Sequence, residues 1–222
     1  MTADQPRAAR LATEAPLSNA DVPDNVEILN AETPFKGFFR IDRYTLRHRT
    51  HAGGWSEAMT REVFERGHAV AVLPYDPVRD EVVLIEQFRP GALAGGMAPW
   101  QVEVVAGIIE PDEPPETVAR RETEEEAGLN VQELIPISHY LATPGGSSET
   151  IWLYCGLIDA EDAGGLHGLD QENEDIHARA MSFDAAFALL GQGPADNAPT
   201  VIGLYWLALN RTRLRARAEG PA

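Results

Sequence analysis

Basic residues are scarce in this sequence, and their scarcity excludes two classes of partner. Only 18 of the 222 residues are Lys or Arg, against 35 Asp and Glu, so the formal net charge is −17. Proteins that bind nucleic acids neutralise phosphates with Lys and Arg, and anionic membranes attract the same side chains. We therefore expect neither a nucleic acid nor a membrane as a partner.

Cysteine and long apolar runs are scarce as well. A single cysteine, Cys155, excludes an intrachain disulfide and fits a reducing compartment. Residues 1–24 contain no apolar core of the signal-peptide type, and the apolar run at 201–209 is too short to span a bilayer. These features predict a cytoplasmic protein.

An acidic stretch with regular spacing occupies residues 107–129. It reads GIIEPDEPPETVARRETEEEAGL and has a glycine near each end. Positions three or four apart share one face of an α-helix, so Glu122, Glu125 and Glu126 are expected to project together. Carboxylates crowded in this way raise one another's pKa, and a hard cation such as Mg²⁺, which takes oxygen ligands, would neutralise them.

A solvated helix face is the structural alternative, because acidic helices are common. Here seven specified positions fall at fixed spacings within 23 residues, which favours a functional motif. The loop that begins at Gly107 can bring backbone carbonyls close to a metal. Arg121 lies four residues before Glu125, so we expect an ion pair that holds this carboxylate.

Further candidates lie outside this stretch. A long acidic connection in the C-terminal third carries Glu172, Glu174 and Asp175, which can complete a metal site or activate water, unless the loop is merely solvated. Arg89 ends an apolar strand, where its planar guanidinium suits a diphosphate. Phe38 can stack on a base, although aromatic residues in strands more often belong to the core.

The remaining pattern predicts an α+β fold with a mixed sheet. Alternation at 37–49 and 58–65 predicts a hairpin in a small N-terminal antiparallel sheet, after a loosely attached segment 1–25. Further strands are predicted at 68–73, 81–88, 102–105, 133–142, 149–158 and 176–181, with a turn at 74–77. Helices are predicted at 114–127, 183–190 and 199–218, the second capped by Ser182. We divide the chain into a tail with its small sheet, 1–66, and a main domain, 67–222.

From about residue 37 to 209, the chain resembles the bacterial ADP-ribose pyrophosphatases of the Nudix superfamily. The 107–129 stretch resembles the Nudix signature, except that Thr123 stands where an aliphatic residue is usual, which we expect to affect packing rather than chemistry. The segments that point to ADP-ribose are REVFERGH at 61–68, EQFRP at 86–90, LATPGGSSE at 141–149 and GLDQENEDI at 168–176.

The resemblance implies a Nudix-type α/β/α sandwich and Mg²⁺-dependent hydrolysis of ADP-ribose to AMP and ribose 5-phosphate, with Mn²⁺ as another possible ion. Implied metal ligands are Glu122, Glu126, Glu174 and the carbonyl of Ala106. Glu125 and Arg121 support this cluster, and Glu172 is implied as the general base. Implied substrate contacts are Arg89, Arg61, Phe38, Glu149 and Gly107.

The resemblance also implies a homodimer in which the 1–66 sheet is exchanged between subunits, so that Arg61 and Phe38 can serve the partner's site. Three alternatives stay open. The substrate can be another sugar nucleotide such as GDP-mannose, or a dinucleotide, and a non-catalytic ADP-ribose sensor is the alternative outside catalysis. The complete glutamate cluster counts against the sensor, because a binding module has no need of it.

Overall fold

The computed structural model describes residues 15–169, 171 and 173–218. By internal contacts, the chain divides into two compact units. Unit 1 comprises residues 1–68 and 141–150, and unit 2 comprises residues 69–140 and 151–222. The loop at 141–150 therefore groups with the N-terminal residues, although about 70 residues separate them in sequence.

Unit 1 is built on a three-stranded antiparallel sheet. Its strands are β1 (Val26–Lys36), β2 (Arg40–His48) and β3 (Met59–Glu65), paired in that order. The last two strands form the predicted hairpin, whereas β1 was not predicted. Two register shifts interrupt β1, between Ile28 and Asn30 and between Glu32 and Phe35. Such bulges break the alternation by which a strand is read from sequence.

Unit 2 is built on a mixed sheet of eight strands. They are β4 (Ala69–Asp76), β5 (Glu81–Phe88), β6 (Trp100–Glu103), β7 (Val105–Ile108), β8 (Glu133–Leu141), β9 (Thr150–Leu157), β10 (Gly164–His167) and β11 (Ile176–Ser182). The order is β10-β11-β5-β4-β9-β8, with β6 paired to β5 and β7 to β4. Strand β4 runs parallel to β9 and antiparallel to β5 and β7. The predicted mixed sheet is confirmed.

Helices cover both faces of this sheet. They are α1 (Pro90–Ala94), α2 (Pro115–Ala127), α3 (Phe183–Phe187) and α4 (Ala198–Ala218). Side chains alternate along β4, so Val70 and Val72 pack in one core with α2, while Ala71 and Leu73 pack in another with α3 and α4. This arrangement is the predicted α/β/α sandwich. No helix in the described ranges is long and apolar enough to cross a lipid bilayer.

Several predicted boundaries are wrong. Strand β4 continues through Pro74 to Asp76, and since Tyr75 is fully buried, packing of its ring outweighs the local turn preference of proline and aspartate. The single strand predicted at 102–105 is two strands, which pair with different neighbours. Helix α1 and strand β10 were not predicted, and α3 is shorter than predicted. The cap is confirmed, because Ser182 Oγ accepts from the N–H of Ala185 at 3.3 Å.

Candidate active site

Helix α2 is defined at both ends by its sequence. Pro115 occupies the first turn, where no backbone donor is needed, and Glu116 suits the positive end of the helix dipole. Gly128 ends the helix with φ of 67°, a left-handed conformation that glycine adopts without strain. Thr123 is fully buried, and its hydroxyl donates to the carbonyl of Ala119 at 2.6 Å, so the unusual residue is satisfied within the helix.

Two glutamates of α2 point into the protein rather than into solvent. Glu126 is only 3 % exposed, and its carboxylate accepts the N–H of Ala106 on β7 at 3.0 Å. Burial raises the pKa of Glu126 to about 8, against the effect of that hydrogen bond. Burial likewise raises the pKa of Glu122 to about 7, with the charge of Glu125 adding to the shift and that of Arg121 opposing it. The negative charge of both groups is therefore poorly compensated.

Arg121 forms ion pairs with three carboxylates of the stretch. Its guanidinium lies 3.1 Å from Glu125, which confirms the predicted i, i+4 ion pair. It also lies 2.9 Å from Glu122 and 3.4 Å from Glu113 in the preceding loop. One cation thus faces three carboxylates, which leaves the cluster with excess negative charge.

Gly107 marks the closest approach between β7 and α2. A Cβ atom built there would lie 2.0 Å from Oε1 of Glu122. The strand can therefore lie this close to the carboxylate only because residue 107 has no side chain. With any other residue at this position, the Glu122 side chain would have to move.

Arg89 follows β5 and faces the same cluster. Its Nε donates to Glu103 of β6 at 2.7 Å, and its charge opposes the rise in the pKa of Glu126, so the two groups interact. Glu103 was missed in the sequence, because it lies opposite Ile85 in the pairing of β5 with β6, and only the folded side chains bring it to Arg89.

Glu174, in the acidic connection, interacts electrostatically with this cluster. The charge of Glu174 raises the pKa of both Glu122 and Glu126, and one of its carboxylate oxygens accepts the N–H of Leu169 at 3.2 Å. Glu172, the candidate base, lies outside the described residues.

The remaining candidates belong to unit 1. Phe38 is 85 % exposed and packs edge to face on Phe39 at 4.8 Å, while Arg61 is exposed and donates to its neighbour's carbonyl. Glu149 is buried, which raises its pKa, and its carboxylate lies 3.4 Å from Arg66. Arg66 was missed in the sequence, because only the folding of the 141–150 loop onto unit 1 reveals its partner.

The arrangement and chemistry of the acidic side chains bear on whether they can bind a metal ion. Within 15–169, 171 and 173–218, no three His, Cys, Asp or Glu side chains converge closely enough to form a metal site. Two carboxylates of the cluster instead turn toward Arg121. Buried Glu126 and partly buried Glu122 nevertheless have raised pKa values and only oxygen donors, which is the environment that a hard divalent cation prefers. The chemistry of the donors therefore suits such an ion, whereas the side chains of the described residues do not converge on one point.

A protein family and two relatives that share one name match most of this chain. The NUDIX domain family matches residues 65–202. The chain is 49 % identical over 192 residues to the ADP-ribose pyrophosphatase of Escherichia coli strain K12, covering 86 % of this chain and 92 % of that protein. It is 42 % identical over 194 residues to the ADP-ribose pyrophosphatase of Haemophilus influenzae, covering 86 % and 89 %.

A more distant relative and a solved structure complete the comparison. The GDP-mannose pyrophosphatase of Cronobacter sakazakii is 32 % identical over 190 residues, covering 83 % of this chain and 96 % of that protein. A crystal structure of an ADP compounds hydrolase superposes with a TM-score of 0.67 at 20 % identity, covering 86 % of this chain and 97 % of that one. At this identity the structural likeness supports the fold alone.

Proposed function

Because the chain belongs to the Nudix family, we propose that it hydrolyses the diphosphate bond of ADP-ribose to give AMP and ribose 5-phosphate. The assignment of ADP-ribose as the substrate rests on 49 % identity, over most of both chains, to a protein named ADP-ribose pyrophosphatase. A GDP-mannose pyrophosphatase matches at only 32 %, which makes GDP-mannose the second candidate.

Glu122, Glu126, Glu174 and the carbonyl of Ala106 would hold a divalent cation, Mg²⁺ or alternatively Mn²⁺. Glu122 and Glu126 on α2 support this, since their pKa values are raised and Glu174 adds further negative charge. When bound, the cation supplies the positive charge that lets a diphosphate enter so acidic a site.

The chain's own residues have distinct roles in this proposal. Arg89 would contact the diphosphate with those guanidinium N–H groups that its bond to Glu103 leaves available. Arg121 would hold Glu125 in place through their ion pair. Glu172 would accept the proton of the attacking water, a role that rests on the family resemblance of its loop.

Residues of unit 1 would bind the base end of the substrate. Phe38 offers an exposed ring for stacking, Arg61 an exposed cation and Glu149 a hydrogen-bond acceptor. The protein would be a cytoplasmic homodimer that exchanges the sheet of residues 1–66, with 67–222 as the hydrolase domain. Charge supports an association through this region, because residues 25–68 contain seven basic and six acidic residues, so that all of the excess negative charge lies elsewhere.

Release of AMP from ADP-ribose tests the proposal directly. Purified protein is assayed with and without Mg²⁺, beside equal concentrations of GDP-mannose and NADH. We expect metal-dependent AMP release with the highest kcat/KM for ADP-ribose. A preference for GDP-mannose would overturn the substrate, and tight binding of ADP-ribose without turnover would make the protein a sensor.

A further inference from the structure

The segment after β10 is attached to the C-terminal end of α2. The N–H of Gly168 donates to the carbonyl of Glu125 at 3.4 Å. This carbonyl is one of the last four of the helix, which have no partner within it. The N–H groups of Gly128 and Leu129 satisfy two neighbouring carbonyls, so Gly168 continues the capping of α2 from another part of the chain.

The imidazole of His167 lies against Gly128. A Cβ atom built on Gly128 would lie 2.8 Å from Cε1 of His167 and 3.5 Å from Nδ1. The ring thus occupies the space that a side chain at position 128 would need. Nε2 of His167 also lies 3.2 Å from the carbonyl of Gly164, a hydrogen bond that steadies the ring from its own strand.

The same attachment fixes the position of Glu174. A Cβ atom built on Gly168 would lie 2.8 Å from Cβ of Glu174, so the two backbones are in close contact. Two hydrogen bonds also link Leu169 to Glu174: the N–H of Leu169 donates to the Glu174 carboxylate at 3.2 Å, and its carbonyl accepts the N–H of Glu174 at 3.3 Å. Glu174 is thereby held against the C-terminal end of α2, the helix that carries Glu122 and Glu126.

We propose that His167 is a positioning residue for the metal site. By packing on Gly128, its ring holds Gly168, and with it Glu174, against the C-terminal end of α2, the helix that carries Glu122 and Glu126. The proposal rests on the proposed role of Glu174 as a metal ligand. If His167 were only a packing residue, its loss would lower stability and leave metal affinity unchanged.

Binding of Mn²⁺ in the absence of nucleotide tests the proposal without relying on turnover. We expect His167→Ala in the full-length protein to weaken Mn²⁺ binding, followed by electron paramagnetic resonance, by about 10-fold, the effect typical of residues that orient metal ligands. Amide hydrogen exchange at Gly168 should become faster in the metal-free variant, because its hydrogen bond to Glu125 opens more often. In activity assays, the Mg²⁺ concentration for half-maximal rate should rise, while the KM for ADP-ribose changes less than twofold.

Gly128→Ala tests the same contact from the other side. Its Cβ displaces the His167 ring, so Mn²⁺ binding should weaken as in His167→Ala. Gly191→Ala is the matched control, because Gly191 has a similar φ of 74° and nothing within 4 Å of its Cβ position. The control has the backbone strain without the collision and should keep wild-type Mn²⁺ affinity. The double variant Gly128→Ala/His167→Ala should bind Mn²⁺ no more weakly than either single variant, since each of the three variants breaks the same contact.

Unchanged Mn²⁺ affinity in His167→Ala, with or without a lower melting temperature, would overturn the positioning role. Failure of the wild-type protein to bind Mn²⁺ would overturn it as well. If wild-type protein binds Mn²⁺ but does not hydrolyse ADP-ribose, the proposed function fails, and the Mn²⁺ and exchange measurements still decide the role of His167.

Discussion

At the scale of single residues, the ionisation of Glu126 depends strongly on its surroundings. Burial raises its pKa to about 8, so without a cation it is largely protonated at neutral pH. Its carboxylate still has to accept the N–H of Ala106, which a protonated acid or an amide can also do. A glutamine at this position would keep the hydrogen bond and remove the ionisation.

We therefore expect Glu126→Gln to stabilise the metal-free protein at alkaline pH. The pKa of Glu126 in the folded state lies above its unfolded value of about 4.3, so ionisation of this carboxyl disfavours folding. Wild-type stability should therefore fall as the pH rises from about 4.3 through about 8. Urea unfolding in EDTA at pH 5 and pH 9 measures this. The variant should gain stability relative to wild type at pH 9, and the exposed Glu124→Gln on the same helix should not. An identical pH dependence in wild type and Glu126→Gln would contradict the assignment.

The proposed base gives a second prediction at this scale. Glu172→Gln should lower kcat by about 10²- to 10⁴-fold, because the proton of the attacking water loses its acceptor, while the Kd for ADP-ribose is largely kept. Single-turnover kinetics and equilibrium binding separate the two quantities. Asp175→Asn, an exposed acid of the same loop, is the comparison, and if it rather than Glu172→Gln abolished turnover, the base would have to be reassigned.

At the scale of elements, the contact between β7 and α2 depends on one missing side chain. Gly107→Ala places a Cβ 2.0 Å from Oε1 of Glu122, so the carboxylate or the strand must move. We expect a loss of about 1–3 kcal/mol in the free energy of unfolding and a strong loss of activity. Gly91→Ala, where nothing lies within 4 Å, is the control for thermal denaturation and activity. Full activity of Gly107→Ala would show that this contact does not shape the site.

The ion pairs between α4 and the turn before β5 give a prediction about stability. Asp80 accepts Arg211 Nε at 2.7 Å and the hydroxyl of Tyr75 at 2.8 Å, and the bond from Arg211 is the main reason its pKa is lowered. Asp80→Asn keeps the turn, whose φ of 61° asparagine tolerates, but removes the charge. We expect a loss of about 1–2 kcal/mol at pH 7, after allowance for partial solvent screening.

The pH dependence of this loss follows from the lowered pKa. The contribution is present above the unfolded pKa of about 3.9 and is lost as pH falls through the folded value, so wild type and Asp80→Asn should converge in strong acid. Chemical denaturation from pH 7 to pH 2 measures it. Asp184→Asn is the control, because Asp184 binds the same Arg211 but is 78 % exposed and should change stability less.

At the scale of the whole molecule, the net charge of −17 predicts a response to salt. Self-repulsion among excess carboxylates destabilises the compact state, and salt shortens its range to about 10 Å at 0.1 M. The melting temperature of the metal-free protein should therefore rise when NaCl is added at pH 7. The rise should shrink near pH 5, where carboxylates begin to protonate. A melting temperature independent of NaCl at pH 7 would show that the ion pairs already offset the excess charge.

Helix α2 shows how far sequence reasoning reaches in this protein. Its start, its glycine end and the ion pair between Arg121 and Glu125 were all predicted, because each depends on residues a few positions apart. Family membership and the mixed sheet were predicted as well, and both are confirmed. Strand β1 was missed because its bulges disturb the local alternation of apolar and polar residues. Helix α1 and strand β10 were missed because they have only five and four residues, too few to show a period.

The family, the acidic helix and the set of candidate glutamates follow from residue identity and local spacing, so the chain's letters were enough to establish them. Three-dimensional packing was needed to show that Glu126 is buried with a raised pKa, that Glu103 binds Arg89, and that His167 packs on Gly128. The physical reason is that burial, strand register and electrostatic shifts depend on residues far apart in the chain. Their distances are set only when the sheet and its two helical layers pack together.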